Sequence, residues 1–416
     1  MNSNLLSDWL GYINSNRPNE EEFGLERLRE LFKKTVSQNL ANKVIIVGGT
    51  NGKGTTVEYL KNFLIESGSN VGVYTSPHLI NFNERIRINN RTASDDEIVR
   101  AFKFIENNKN STRLTYFDYA TLAAFKIFAE ENLDFAILEI GIGGKYDPVN
   151  LIESDISIIT NIDLDHEKWL GSTLEQIGLQ KAAILKQGKI GILGSDSMPL
   201  SVTSKSKEIC KKTLQLGKEF RVSSQNNKWS YSIPHKNFEL EDIDSGNLNH
   251  ESAACALSAY KILLEDDIDF KKVIEATHLP GRCHSIEHFI LDVSHNPASV
   301  KNLIQFLDRN HKDIKFNAIF SAMSDKDCES IINEISQYIS EWNICSIEDT
   351  RFDISELINI TEHITNKSVV KNDSVYSAVE RSYHEKVPCI VFGSFITVSQ
   401  AYQAIEKIKK ENHEDH

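Results

Sequence analysis

Unbroken apolar runs alternate with amphipathic stretches along this chain. Residues 44–47, 71–74, 135–140 and 156–160 are short, continuous and rich in β-branched side chains. That is the texture of strands buried on both faces of a parallel sheet. A helical pattern over 55–67 separates the first two. From about 187 to 246 Ser, Lys, Gln and Asn dominate. Short alternating pieces there, such as 229–233, predict a small β-rich insertion. After Gly281-Arg282 a second series begins, with strands predicted at 289–293, 316–320, 343–347 and 389–392. Helical patterns at 327–339 and 396–409 separate them. The pattern predicts an α/β fold with a mainly parallel sheet over residues 1–282 and a smaller α/β domain over 283–416. Pro280-Gly281-Arg282 is the natural hinge, and residues 411–416 read as a frayed tail.

The first strand drops straight into Gly48-Gly49-Thr50-Asn51-Gly52-Lys53-Gly54-Thr55-Thr56. Glycines let a backbone turn tightly with its N–H groups inward, and a helix N-terminus favours an anion. Lys53 would reach the β/γ-phosphates, and Thr55 or Thr56 could face Mg²⁺. The common phosphate loop places Ser/Thr directly after Gly-Lys, whereas here Gly54 intervenes. An ordinary Gly/Asn turn is the bland alternative, and the combination of strand, glycines, lysine and hydroxyls outweighs it.

Composition narrows the class. The 416 residues suit two or three domains, and 40% hydrophobic with 25% charged is ordinary for a globular protein. The formal net charge of −13 argues against broad nucleic-acid or acidic-membrane binding. It leaves room for an anionic substrate, because a local cluster of Lys, Arg and Mg²⁺ inverts the local field. The six cysteines are scattered without C-x-x-C spacing, so neither a disulfide framework nor a zinc knuckle is expected. The start, Met-Asn-Ser-Asn, lacks the basic and apolar runs of a leader, and no apolar stretch nears about 18 residues. The expectation is a cytoplasmic protein, monomeric by default because heptads are absent.

Polar residues gather just beyond the predicted strands. Ser76-Pro77-His78 follows the second strand, Glu139 ends the third, and Asp163, Asp165 and His166 follow the fourth. In a parallel sheet these ends share one edge with the phosphate loop. A hydroxyl, a carboxylate and an imidazole there could share a hard cation with phosphates. Each has a plain alternative as a turn, cap or loop residue. Lys181 lies on a predicted helix, and spacing alone makes it a snorkelling surface lysine. Asp292-Val293-Ser294-His295-Asn296-Pro297 and Gly393-Ser394-Phe395 close strands of the second series, where a cap and a ligand crevice are equally good readings.

Together these residues resemble the folylpolyglutamate synthase/dihydrofolate synthase family of the Mur ligase superfamily, in its bacterial bifunctional form. The likeness runs nearly end to end. It includes Phe23-Gly24-Leu25-Glu26-Arg27, the loop from Gly49 to Thr55, Ser76-Pro77-His78-Leu79 with Glu84-Arg85-Ile86, and Leu114-Thr115-Tyr116-Phe117-Asp118-Tyr119. It continues through Glu139-Ile140-Gly141-Ile142-Gly143-Gly144, Leu164-Asp165-His166, Leu279-Pro280-Gly281-Arg282, Asp292 with His295-Asn296-Pro297, Met323 with Asp325-Lys326-Asp327, and Phe392-Gly393-Ser394-Phe395. The phosphate-loop variation is that family's own form. The resemblance implies a P-loop, Mur-ligase-like ATPase domain and a smaller Rossmann-like C-terminal domain. The implied activity is an ATP-dependent carboxylate–amine ligase acting through an acyl phosphate, with L-glutamate as the amine. It implies ATP as co-substrate and two Mg²⁺ ions, and leaves a monovalent cation open.

Carried over by position, Thr50, Asn51, Gly52, Lys53, Gly54 and Thr55 resemble the phosphate cradle, and Ser76, Glu139 and His166 the magnesium ligands. Ser252, Arg282 and Asp292 match nucleotide contacts. Lys181 matches a lysine carried as a carbamate (N6-carboxylysine), which reverses the surface reading. The pterin side is implied at Glu22, Phe23, Gly24 and Leu25, at Thr115, Tyr116, Phe117 and Asp118, and at Tyr146, Asp147 and Pro148. Glutamate is implied near His295 and Ser394. The chain departs from the family at Gln180 and at Ala182-Ala183 beside Lys181. It departs also at Lys145, where an arginine is usual, and at Ser252, where relatives carry Asn. Folate-side motifs favour this family over a peptidoglycan ligase, since only about 42 residues precede the first strand, too few for a further domain. The competing class is a nucleotide-binding protein of the same fold that kept the cradle and lost catalysis.

Overall fold

The computed structural model describes residues 3–15, 24–36, 39–225, 227–244, 246–349 and 351–414, so Glu22 and Phe23 lie outside the described residues. The chain divides into a unit of Met1–Ser245 with Asn249–Thr277 and a unit of Gly246–Leu248 with His278–His416.

The first unit is built on an eight-stranded sheet of β1 (Lys43–Gly48), β2 (Val71–Tyr74), β3 (Ile86–Ile88), β4 (Arg91–Thr92), β5 (Phe135–Glu139), β6 (Ile156–Ile159), β7 (Ile190–Leu193) and β8 (Lys212–Gln215). Their spatial order is β4-β3-β2-β5-β1-β6-β7-β8. The six strands from β2 to β8 run parallel, and β3 and β4 add an antiparallel edge. Apart from Lys43, every residue of β1, β5 and β6 is buried. Unbroken β-branched runs can fill such positions because helices cover both faces. The carboxyl ends of β1, β2, β5 and β6 lie along one edge, which is where their polar sequels meet.

The insertion expected over about 187–246 is corrected to a shorter one. Within that polar stretch β7 is almost wholly buried and pairs parallel with β6, and β8 extends the same sheet beyond the helix Leu200–Ile209. Flanking Lys and Ser residues mask this four-residue run in composition. Only β9 (Arg221–Gln225), β10 (Lys228–Ile233) and β11 (Phe238–Asp244) form a separate antiparallel sheet. It packs on the helix His250–Leu263. Trp229 stacks on His250 with centroids 4.9 Å apart, and the Tyr231 and Ser258 hydroxyls are 2.8 Å apart.

The second unit carries β12 (His284–Ile286), β13 (Phe289–Leu291), β14 (Phe316–Phe320), β15 (Ile339–Cys345), β16 (Val370–Asn372) and β17 (Cys389–Phe392) in the order β12-β13-β17-β14-β15-β16. All but β12 run parallel. β15 begins four residues before the expected 343, and the helix expected over 327–339 ends at Ile335. Ser340 and Glu341 give the strand a polar entry, and Trp342 to Cys345 are buried in succession, which reads as a doubly covered parallel strand. The last strand, β17, inserts between β13 and β14.

Candidate active site

The phosphate loop leaves β1 through two glycines in conformations that other residues rarely adopt. Gly49 has φ +136° and Gly52 has φ +80°. A Cβ on Gly49 would sit 1.9 Å from Thr160 Oγ1, and one on Gly52 would sit 2.6 Å from Ser252 Oγ. The helix Lys53–Glu66 starts two residues earlier than its sequence pattern predicts, because left-handed Gly52 serves as its N-cap. No side chain caps this start, whereas Ser94, Thr115 and Asn296 cap theirs. An uncapped helix start is what an anion requires.

Neighbouring strand ends hold the loop. Thr50 N–H donates to Asn161 O, and Asn51 N–H to Asn161 Oδ1, each at 2.9 Å. Thr160 donates its hydroxyl to Asn51 O at 2.6 Å, and Asp163 N–H donates to Thr50 Oγ1 at 2.9 Å. Asn161 was missed by sequence reasoning. Its only signal is a polar residue directly after an apolar strand. Lys53 Nζ folds back over the loop, 3.2 Å from Gly49 O and 3.0 Å from Thr50 O. Thr55 is buried within the first helical turn. Ser252 donates its hydroxyl to Gly52 O at 3.3 Å, so this departure supports the loop from below.

Lys181 corrects the surface reading from spacing. It is 4% exposed, and Nζ donates to Gly49 O at 2.8 Å. Burial first, and the nearby Lys53 ammonium second, lower its pKa to about 7.

At the ends of β2 and β5, Ser76 N–H donates to Glu139 Oε2 at 3.0 Å. Ser76 Oγ is buried without a hydrogen-bond partner, an orphan that a hard cation would satisfy. Thr56 Oγ1 is a second such orphan. His166 sits in left-handed conformation at the start of the short helix Glu167–Leu170, with Nε2 3.9 Å from Asp165 Oδ2. Among the described residues no three His, Cys, Asp or Glu side chains form a ready-made metal group. A hydroxyl beside one buried carboxylate fits Mg²⁺, which keeps several waters and takes phosphate oxygens as ligands.

The expected pterin wall divides into scaffolding and surface. Asp118 is buried. Its Oδ2 accepts from Thr115 N–H and from Arg27 Nη2, each at 2.7 Å, in the capping box of the helix Tyr116–Phe128. Asp147 is buried as well, and its carboxylate accepts from the amides of Gly141, Ile142 and Val149. Burial raises its pKa to about 7, against the lowering effect of those amides. Pro148 opens the turn of 3₁₀ helix after Asp147. Phe117 lies against Gly141, where an added Cβ would come within 2.6 Å of its ring. Tyr116 meets the Arg85 guanidinium at 5.5 Å, and Arg85 Nε donates to His78 Nδ1 at 2.8 Å. Gly24 and Leu25 are half-buried. Tyr146 is exposed, with Lys145 Nζ 5.0 Å above its ring.

In the second unit Asp292 is buried and fully engaged. It accepts from Cys283 N–H and Ser294 N–H, both at 2.8 Å, and from the Ser294 hydroxyl. Through these bonds it holds the turn after β13. His295 Nδ1 lies 2.8 Å from Val293 O, so a neutral ring held there donates from Nδ1. The Arg282 guanidinium lies over Phe395, and the rings of His295 and Phe395 lie 6.3 Å apart. Ser394 Oγ is 2.7 Å from Thr397 Oγ1 and accepts Thr397 N–H, as a cap does.

A relative from Buchnera aphidicola subsp. Schizaphis graminum, named dihydrofolate synthase/folylpolyglutamate synthase, is 32% identical over 404 residues, covering 95% of this chain and 96% of that protein. This chain belongs to the dihydrofolate synthase/folylpolyglutamate synthase family. The Mur ligase middle domain matches residues 47–258. The Escherichia coli K12 member is 30% identical over 407 residues, covering 96% of each chain. Among solved structures of the family, E. coli FolC in complex with DHPP and ADP superposes with a TM-score of 0.91 at 29% identity, covering 97% of this chain and 98% of that one. A bifunctional member with Mn, AMPPNP and L-glutamate bound gives 0.88 at 31% identity, again covering 97% and 98%. No helix among the described residues is long and apolar enough to cross a membrane.

Proposed function

We propose that this chain is an ATP-dependent ligase that joins L-glutamate to the carboxylate of dihydropteroate and of folylglutamates, acting as a cytoplasmic monomer. A substrate carboxylate oxygen attacks the γ-phosphorus, and ADP leaves. The glutamate amine attacks the acyl phosphate carbon, the tetrahedral intermediate collapses, and phosphate leaves with the acyl bond it held. A free carboxylate is a poor acylating agent, so phosphorylation supplies the leaving group.

The chain's own groups are suited to positioning and charge neutralisation. The uncapped helix start takes the phosphates, and Lys53 swings from Gly49 O and Thr50 O to neutralise them. Ser76, Glu139 and His166 would hold Mg²⁺, for which we infer two ions. When bound, the metal draws charge from the phosphate oxygens. Arg282 contacts the nucleotide, and Asp292 holds the turn that follows β13. Neutral Lys181, with its depressed pKa, is suited to capture CO₂ as a carbamate. His295 Nε2 can accept the proton that leaves the glutamate amine. The pterin lies by Phe117, Tyr146 and the loop at Asp147.

What carries this reading is the uncapped, lysine-guarded loop in a chain that matches FolC over nearly its whole length. The test is purified protein with MgATP and radiolabelled glutamate, offered dihydropteroate and tetrahydrofolate separately. Labelled product with glutamate-dependent ADP release is expected. ATP binding without phosphate release under any folate or amino acid would instead identify a non-catalytic nucleotide-binding protein.

A further inference from the structure

Arg282 hangs from a turn that one helix holds at two points. The helix Phe395–Glu414 carries Phe395 and Tyr402, two turns apart on the same face. The Arg282 guanidinium lies 5.4 Å above the Phe395 ring. Two turns along, Tyr402 Oη accepts the Gly281 N–H at 2.9 Å. The same hydroxyl lies 2.5 Å from His284 Nδ1, and the two rings stack with centroids 5.7 Å apart. A phenol has one proton, and Oη already accepts from Gly281. With the His284 proton on Nε2, its bare Nδ1 takes the phenol proton, and that contact aligns the hydroxyl. Gly281, at φ +72°, gives its carbonyl to Val293 N–H at 2.9 Å and to Arg282 Nη1 at 3.1 Å. Both peptides flanking Gly281 are thus pinned, one by Tyr402 and the other by the strand that leads to Asp292.

We infer that Tyr402 is a positioning residue for nucleotide binding. Its hydroxyl, aligned by His284, holds the turn so that Arg282 is presented before the ligand arrives. The inference rests on the reading of Arg282 as a nucleotide contact. Tyr402 touches no reacting atom, so its effect belongs in nucleotide affinity and not in chemistry. A guanidinium on a loose turn must be ordered at binding, and a pinned one is already ordered.

The experiment uses the full chain, with ADP affinity by calorimetry and kcat at saturating substrates. Tyr402→Phe removes both hydrogen bonds of the hydroxyl and should weaken ADP binding about 3- to 10-fold, leaving kcat within about 2-fold. In an Arg282→Ala background the same change should add nothing. An equal loss in both backgrounds, or a loss confined to kcat, overturns the inference. So does unchanged ADP affinity in Tyr402→Phe where Arg282→Ala weakens it. If Arg282→Ala itself leaves ADP binding intact, the nucleotide reading of Arg282 fails first, and this inference falls with it. Should Tyr402→Phe fail to fold, His284→Ala carries the test. Its ADP loss should likewise vanish in the Arg282→Ala background, and additivity overturns the inference.

Discussion

Lys181 shows how burial turns an ordinary side chain into a reagent. An amine held near pKa 7 is largely neutral at pH 8 and can attack CO₂. Activity measured in CO₂-free buffer should fall and return with added bicarbonate. Lys181→Met should be insensitive to it. The pH sign follows from linkage. Between about 7 and the ordinary 10.5 the folded chain binds fewer protons than the unfolded one, so stability from this group rises with pH there. In CO₂-free buffer, Lys181→Met should exceed the parent in stability below pH 7, on the order of 3–5 kcal/mol, with the gap closing towards pH 10.5. Denaturant titrations at pH 6 and pH 9 check both sign and slope. Lys53 has a simpler expectation. Lys53→Ala should lower kcat at least about 10²-fold, read as glutamate-dependent ADP release, and near-parental rates would remove it from the cradle. Lys53 was legible in its glycine loop, but the environment of Lys181 was not legible from local spacing. A lysine on an amphipathic helix reads as surface, and only the end-to-end likeness pointed the other way.

The elements that deliver these side chains are held by caps and glycines. The capping box of Thr115 and Asp118 starts the helix behind the expected pterin wall, and Arg27 ties the segment after Leu25 to the same carboxylate. Thr115→Ala should cost about 1 kcal/mol in chemical denaturation. Gly49→Ala is the sharper test, since the new methyl would overlap Thr160 Oγ1 and the backbone sits at φ +136°. It should abolish ATP binding and lower stability by about 2–4 kcal/mol. At this scale the parallel strands were plain in the sequence, because doubly buried strands need continuous apolar runs. β7 and β8 were not plain, since three and two buried residues among lysines and serines leave no periodic trace. Nor was the carboxylates' structural work. Asp118, Asp147 and Asp292 read as ligand contacts, yet each is occupied by backbone donors that only the folded turns bring close.

For the molecule as a whole, the second unit has its own six-stranded sheet and its own apolar core, including Phe306, Phe320, Trp342 and Phe392. Residues 278–416 expressed alone should therefore fold, with dispersed amide resonances and cooperative melting, and should fail to bind ATP. The change of texture at Pro280-Gly281-Arg282 marks the boundary within a few residues of Thr277. Residues 246–248 join the second unit across a long gap in sequence, a pairing that composition cannot announce.

The Gly49 carbonyl serves both Lys181 and Lys53, at 2.8 Å and 3.2 Å. The Lys53 ammonium repels a proton on Lys181 and lowers that lysine's hold on it. A polyanion that draws Lys53 away relieves that repulsion and brings negative charge of its own, so Lys181 reprotonates. Order of addition then matters. Bicarbonate given before metal-free ADP should load the lysine more fully than bicarbonate given after it, a difference that ¹³C-carbamate resonance intensity would record.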